Sequence, residues 1–222
     1  MIGAMSAPFP TDWQRAVVLV AHPDDIDYGT AAAVARWTAE GRTVGYVLAS
    51  RGEAGIEGLA PEQAGPLREA EQRAAAAEVG VDDVEFLGFP DSALHDTPEL
   101  RAALREAVTR RGAHLAVVGF FGAAWDDDSP NQSDHIELGH AAVGALAGSG
   151  VPLYQQDPRG DLLVDVEDQV VACVRAVAAH ATYFAVLDPQ TPVPEQARAV
   201  VEMCCPPHED LGGRHAMVFS RV

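Results

Sequence analysis

Basic residues are scarce in this chain: fifteen Lys and Arg stand against 33 Asp and Glu, for a formal charge of −18. So acidic a surface repels phosphate backbones and anionic headgroups, which argues against nucleic acid and membranes as partners. Long apolar runs are missing too. No stretch approaches the ~18 uncharged apolar residues needed to span a bilayer, and Met1–Arg15 lacks the basic flank and apolar run of a secretory signal. Cysteine is limited to Cys173 and the adjacent Cys204 and Cys205, an odd number without C-x-x-C spacing. This predicts reduced thiols in a cytoplasmic protein, in preference to a soft metal site with His208. A glycine-rich phosphate loop is absent after the first strand, where Gly29 stands alone, and no H-E-x-x-H helix occurs.

What is present is an alternation of β-branched runs and Ala-rich stretches, the pattern of βαβ units. Strands are expected at Ala16–Ala21, Val44–Ala49, Val84–Leu87 and Leu115–Val118, with helices at Thr30–Glu40, Pro66–Val79, Thr97–Arg111 and His135–Ala147. Gly41, Gly80 and Gly112 fall where C-terminal caps belong. Phe120–Asp134 is too polar and irregular for either element and reads as a long functional loop. Beyond Gly150 the pattern blurs into helices near Val166–Ala179 and Pro194–Cys204 and a closing strand near Ala216–Ser220. The expected fold is a single α/β domain over residues 1–222. Its sheet is Rossmann-like and mostly parallel with flanking helices, and its active site lies at the carboxyl ends of the strands.

Two segments at those strand ends carry chemistry. The first strand runs into His22-Pro23-Asp24-Asp25-Ile26-Asp27, an imidazole and three carboxylates within six residues. Such a cluster repels itself, and a cation would relieve it. A solvated turn in which Asp24 or Asp25 caps the next helix is the plainer alternative. It is weakened by His22, a neutral nitrogen ligand three residues from Asp25, and by Pro23, which stiffens the turn between them. The second segment is Asn131-Gln132-Ser133-Asp134-His135-Ile136-Glu137-Leu138-Gly139-His140, where Asp134 reads as a helix N-cap and His135 as a first-turn residue facing the end of the sheet. Three His and carboxylate ligands with a fourth position open are usual for catalytic zinc. His140, about 140° further around the helix, is assigned to packing or solvent. Asp126-Asp127-Asp128 reads as an exposed acidic loop in preference to a site for a hard cation such as calcium.

In order and spacing these residues resemble the PIG-L or LmbE-like zinc N-deacetylases. The landmarks are Ala21-His-Pro-Asp-Asp25, Ser50-Arg-Gly-Glu-Ala-Gly55, Arg68-x-x-Glu71, Phe86-Leu-Gly-Phe-Pro-Asp91 and Asp134-His135, spread over roughly Val17 to Gly144. The resemblance implies one Zn2+ per chain on His22, Asp25 and His135, with Asp24 as general base. It also implies contacts to substrate from Arg68 and Asp91, with Glu53 and Gln132 beside them. The implied substrate is a small N-acylated molecule such as an N-acetylglucosamine conjugate; a homo-oligomer is compatible with this. One position departs from many members: Gln132 stands where they carry a His that helps stabilise the oxyanion, and an amide cannot supply a charge or transfer a proton. The alternative is therefore a zinc hydratase acting on a small dicarboxylic acid with the same scaffold.

Overall fold

The run Ala16-Val-Val-Leu-Val20 sends apolar side chains to both of its faces, as a strand covered by helices on both sides requires. In the computed structural model, which describes residues 6–126 and 128–222, that run lies within a sheet sandwiched between two helical layers. The strands are β1 (Ala7–Pro8), β2 (Arg15–Val20), β3 (Thr43–Leu48), β4 (Asp83–Phe86), β5 (Leu115–Val118), β6 (Ala124–Asp126), β7 (Ser129–Pro130), β8 (Leu153–Gln156), β9 (Leu162–Asp165), β10 (Pro207–His208) and β11 (Arg214–Arg221). The helices are α1 (Asp25–Gly29), α2 (Ala31–Ala39), α3 (Pro61–Glu78), α4 (Pro98–Arg110), α5 (Ser133–Leu146), α6 (Val170–Ala178), α7 (Ala181–Leu187) and α8 (Val193–Cys204).

The sheet order is β1-β9-β11-β8-β5-β2-β3-β4, with β10 paired to β11. Strands β4, β3, β2, β5 and β8 are parallel, and β11 runs antiparallel between β8 and β9. From β2 the chain crosses over α2 to β3 on one side, while from β5 it crosses over α5 to β8 on the other. The β2/β5 pair is therefore the topological switch point, where open α/β sheets leave a crevice beyond the strand ends.

Period-two alternation divides the core. Val18 and Val20 face α2, α3, α6 and α8, packing with Trp37, Ala75, Ala176 and Val201, whereas Val17 and Leu19 face α4 and α5 with Leu100, Leu104, Leu138 and Ala142. Each such Leu contributes roughly 1.5–3 kcal/mol by leaving water. The result is a rigid base under the crevice.

Several expectations need correction. Phe120–Asp134 is not wholly irregular, since β6 and β7 form a hairpin within it. Strands β8 and β9 are too short to be distinguished from loop by periodicity. Helix α3 starts at Pro61, where the missing N–H costs nothing, five residues before the expected Pro66. Pro66 is tolerated inside the helix on its exposed side. The α5 N-cap is Gln132, so Asp134 sits in the first turn and is buried, not capping. Gly41, Gly80 and Gly112 close α2, α3 and α4 as expected. Among the described residues, no single helix is long and apolar enough to cross a membrane. Met1–Met5 and Asp127 lie outside the described residues.

Candidate metal centre

After β2 the chain makes a tight turn that its own side chain closes. Asp25 Oδ2 accepts the backbone N–H groups of Ala21 (3.1 Å) and His22 (2.8 Å), which leaves Oδ1 to point across the crevice at His135 Nε2, 3.0 Å away. Between them Asp24 adopts a left-handed backbone, φ 81°. Its carbonyl accepts the N–H groups of Asp27 (2.7 Å) and Tyr28 (3.0 Å), starting α1. That turn splays the adjacent carboxylates: Asp25 goes to the histidines, while Asp24 Oδ1 lies 3.3 Å from Arg68 Nη2.

The protonation of His135 follows from its neighbours. Asn131 Nδ2 donates to the carbonyls of Phe120 and Gly122, both at 3.0 Å, so its Oδ1 must be the acceptor facing His135 Nδ1 at 3.0 Å. His135 therefore carries its proton on Nδ1 when neutral, and its Nε2 lone pair faces the Asp25 carboxylate. Two such acceptors 3.0 Å apart call for a cation, whether a proton or a metal ion. On His22, Nε2 lies 3.2 Å from both Asp91 Oδ1 and Asp134 Oδ2 and donates to them, which turns Nδ1 toward Asp25 Oδ2 at 3.5 Å.

The electrostatics express the same shortage of positive charge. Burial works against the His22 imidazolium, but Asp25 and Asp91 outweigh it and raise its pKa to about 11. Burial would likewise raise Asp25, yet His135 and His22 hold it well below the usual carboxylate range. Asp24 behaves oppositely, pushed up to about 6 by burial against the opposing charge of Arg68. One donor atom each from His22, Asp25 and His135 falls within 4.8 Å of the others, as it does for His22, Asp91 and Asp134. The first set, two imidazoles and a carboxylate, fits a borderline ion such as zinc. The second is satisfied internally by the His22 hydrogen bonds.

Arg68 is buried on α3, not a surface partner of Glu71. It donates to the carbonyls of Gly52 (3.0 Å) and Pro23 (2.7 Å) and lies over the Tyr183 ring, 4.7 Å from its centroid. Gly52 makes this possible, having a left-handed φ of 64° and room only for a hydrogen where a Cβ would strike the guanidinium. Glu53 does not face solvent alone: Oε1 accepts Asp91 N–H at 3.0 Å, and Asp91 Oδ2 in turn accepts Ala54 N–H at 2.7 Å. The two loops are thus stitched together behind His22, and Asp91 contacts that imidazole directly. Gln132 is exposed and its side chain caps nothing. Asp134, read from the sequence as a helix N-cap, instead holds His22, and the residue that orients His135 is Asn131, four positions earlier. His140 is exposed against the edge of Phe121, as expected. Cys173, Cys204 and Cys205 are free thiols.

A family model described as GlcNAc-PI de-N-acetylase, PIG-L, matches residues 17–146, more than half of the chain. A 1D-myo-inositol 2-acetamido-2-deoxy-alpha-D-glucopyranoside deacetylase from Nocardioides sp. is 30% identical over 226 residues, covering 82% of this chain and 72% of that protein. Among solved structures, the N,N'-diacetylchitobiose deacetylase from Pyrococcus horikoshii has a TM-score of 0.79 at 19% identity, covering 95% of this chain and 84% of its own. The 4-carboxy-2-hydroxymuconate hydratase from Pseudomonas putida KT2440 has a TM-score of 0.67 at 19% identity, covering 94% and 96%. At those identities the two structures speak for the fold alone. With the family model covering β2 through α5, the chain belongs to the PIG-L family and is an enzyme of its deacetylase class.

Proposed function

We propose that this protein is a zinc-dependent N-deacetylase acting on a small N-acetylglucosamine-type molecule, with His22, Asp25 and His135 as the metal ligands and Asp24 as general base. The observation that carries this reading is the left-handed turn at Asp24, which aims one carboxylate at the two imidazoles and keeps its neighbour off them. Zinc, when bound, supplies a Lewis acid that acidifies water and polarises a carbonyl oxygen.

The chain's own residues do the rest. Asp24 accepts one proton from the attacking water at its carboxylate and returns it to the amide nitrogen as the C–N bond breaks, so amine and acetate leave with protons balanced. Arg68, fixed by two backbone carbonyls, holds a positive charge beside Asp24 and faces the substrate together with Asp91. Asn131 and Asp134 keep the two imidazoles in the tautomers that leave a lone pair toward Asp25. Gln132, exposed at the start of α5, offers an amide donor to substrate. The free thiols support a reducing, cytoplasmic setting.

The test is acetate release by zinc-loaded protein from a panel of methyl N-acetylglucosaminide, N,N'-diacetylchitobiose and N-acetylglucosaminyl-inositol. A second reading, hydration of an unsaturated dicarboxylic acid, is favoured by the neutral Gln132 where a chargeable His is expected. Substrate loss with such an acid and no acetate from the panel would establish it instead.

A further inference from the structure

The C-terminal third, beyond the span matched by the family model, reaches the site through one buried chain of hydrogen bonds. His180, at the junction of α6 and α7, is fully buried and places Nε2 2.8 Å from Asp27 Oδ2. The same oxygen accepts Gln72 Nε2 at 3.0 Å, and Gln72 Oε1 accepts the backbone N–H of Asp24 at 2.8 Å. All four side chains are buried, and His180 Nδ1 and Asp27 Oδ1 have no partner among the described residues. Replacing such a pair with apolar groups of similar volume is often neutral or stabilising, so stability alone does not account for it.

Its position does. A left-handed non-glycine residue costs roughly 1–2 kcal/mol, and Asp24 keeps that conformation because its N–H and its carbonyl are both engaged. The N–H depends on Gln72 presenting oxygen and not nitrogen. The Asp27 carboxylate fixes that choice by accepting the other end of the amide, and His180 fixes the carboxylate. The neighbouring residues of α7 dock on the same helix α3: Thr182 N–H donates to Glu71, and Tyr183 lies under Arg68.

We infer that His180 is a positioning residue for the general base, acting through Asp27 and Gln72 to hold Asp24 in the turn that separates it from Asp25. The inference rests on Asp24 being the base. The experiment compares Gln72→Met, His180→Leu, His180→Gln and Asp24→Asn as zinc-loaded full-length proteins, using the panel substrate that the wild type hydrolyses fastest.

Gln72→Met keeps side-chain length but loses both hydrogen bonds. It and His180→Leu should lower kcat about 10- to 100-fold through misplacement of Asp24. KM should stay within about twofold and metal content at the wild-type value, since neither ligands nor substrate contacts change. His180→Gln, which retains a donor toward Asp27, should recover most of the loss. If His180→Leu does not fold, Gln72→Met decides the matter. A folded, metal-loaded Gln72→Met enzyme with wild-type kcat overturns the inference, as does one whose loss comes from missing metal. An active Asp24→Asn enzyme overturns the base assignment itself. An inactive Asp24→Asn beside a normal Gln72→Met removes only the positioning chain.

Discussion

Replacing each of the two adjacent aspartates with asparagine should give inactive enzymes with opposite metal contents. At position 25 the amide must present its oxygen to the Ala21 and His22 N–H groups, because its NH2 would clash with both donors. The NH2 then points at His135 Nε2 and donates to the lone pair a metal would use, since Nδ1 is committed to Asn131. One ligand is lost and a second is occupied, so affinity should fall by more than the roughly 10- to 100-fold usual for outer-shell changes. At position 24, asparagine tolerates the left-handed backbone, and Asp25 keeps its own hydrogen bonds from the Ala21 and His22 N–H groups, so the ligand set stays intact. Loss of the proton acceptor should cost about 10²- to 10⁴-fold in kcat, or roughly 3–5 kcal/mol of barrier. Elemental analysis after gel filtration, beside acetate release on the same samples, reads both quantities. A metal-free Asp24→Asn with a zinc-replete Asp25→Asn would refute the reasoning, and so would full activity in Asp24→Asn.

Three more outcomes follow from the geometry. Gly52→Ala introduces a Cβ 2.9 Å from Pro23 Cδ and in collision with Arg68 at a left-handed φ; it should lower stability by roughly 1–2 kcal/mol and raise KM while metal stays bound, as read by thermal melts and steady-state kinetics. Asn131→Ala frees the His135 ring without removing a ligand, so metal affinity by competition with a chelator should drop about 10- to 100-fold, less than in His135→Ala; equal losses would contradict the tautomer argument. Glu85 is held below its ordinary pKa of 4.5 because Arg111 and Arg110 outweigh the effect of burial. Its contribution to stability is therefore present above 4.5 and lost as pH falls through the lowered value. The melting-temperature gap between wild type and Glu85→Gln should close under acid, and a gap unchanged down to about pH 3 would count against the ion pair.

The parallel half of the fold is legible because its strands are apolar on both faces and its helices are Ala-rich, so β2 through α5 lie close to where the pattern puts them. The antiparallel edge is not, because β8 and β9 have four residues each and half-polar sequences such as Leu153-Tyr-Gln-Gln156. In the site, the crowding of His22, Asp24 and Asp25 is visible in the sequence, whereas their separation depends on one backbone angle at Asp24. Asp134 and His135 are adjacent, yet Asp134 holds the other imidazole, His22, since neighbours in a first helical turn point about 100° apart. Asn131 resembles an ordinary cap residue. His180 has no local signature at all, being 153 positions from Asp27 in a stretch with blurred periodicity.

Asp25 and His135 are 110 positions apart in the chain and 3.0 Å apart in space. Joining the ends of so long a flexible loop costs about 4 kcal/mol in chain entropy. The pairing of β2 with β5 and the core packed on it supply that closure through contacts that involve no ion. With the proposed ligands held together by the fold, the site would act as a preassembled chelator: an incoming cation would displace protons without having to organise polypeptide. Extraction and reloading of metal should therefore be reversible in the folded state, and the far-ultraviolet circular dichroism of stripped and loaded protein should superimpose.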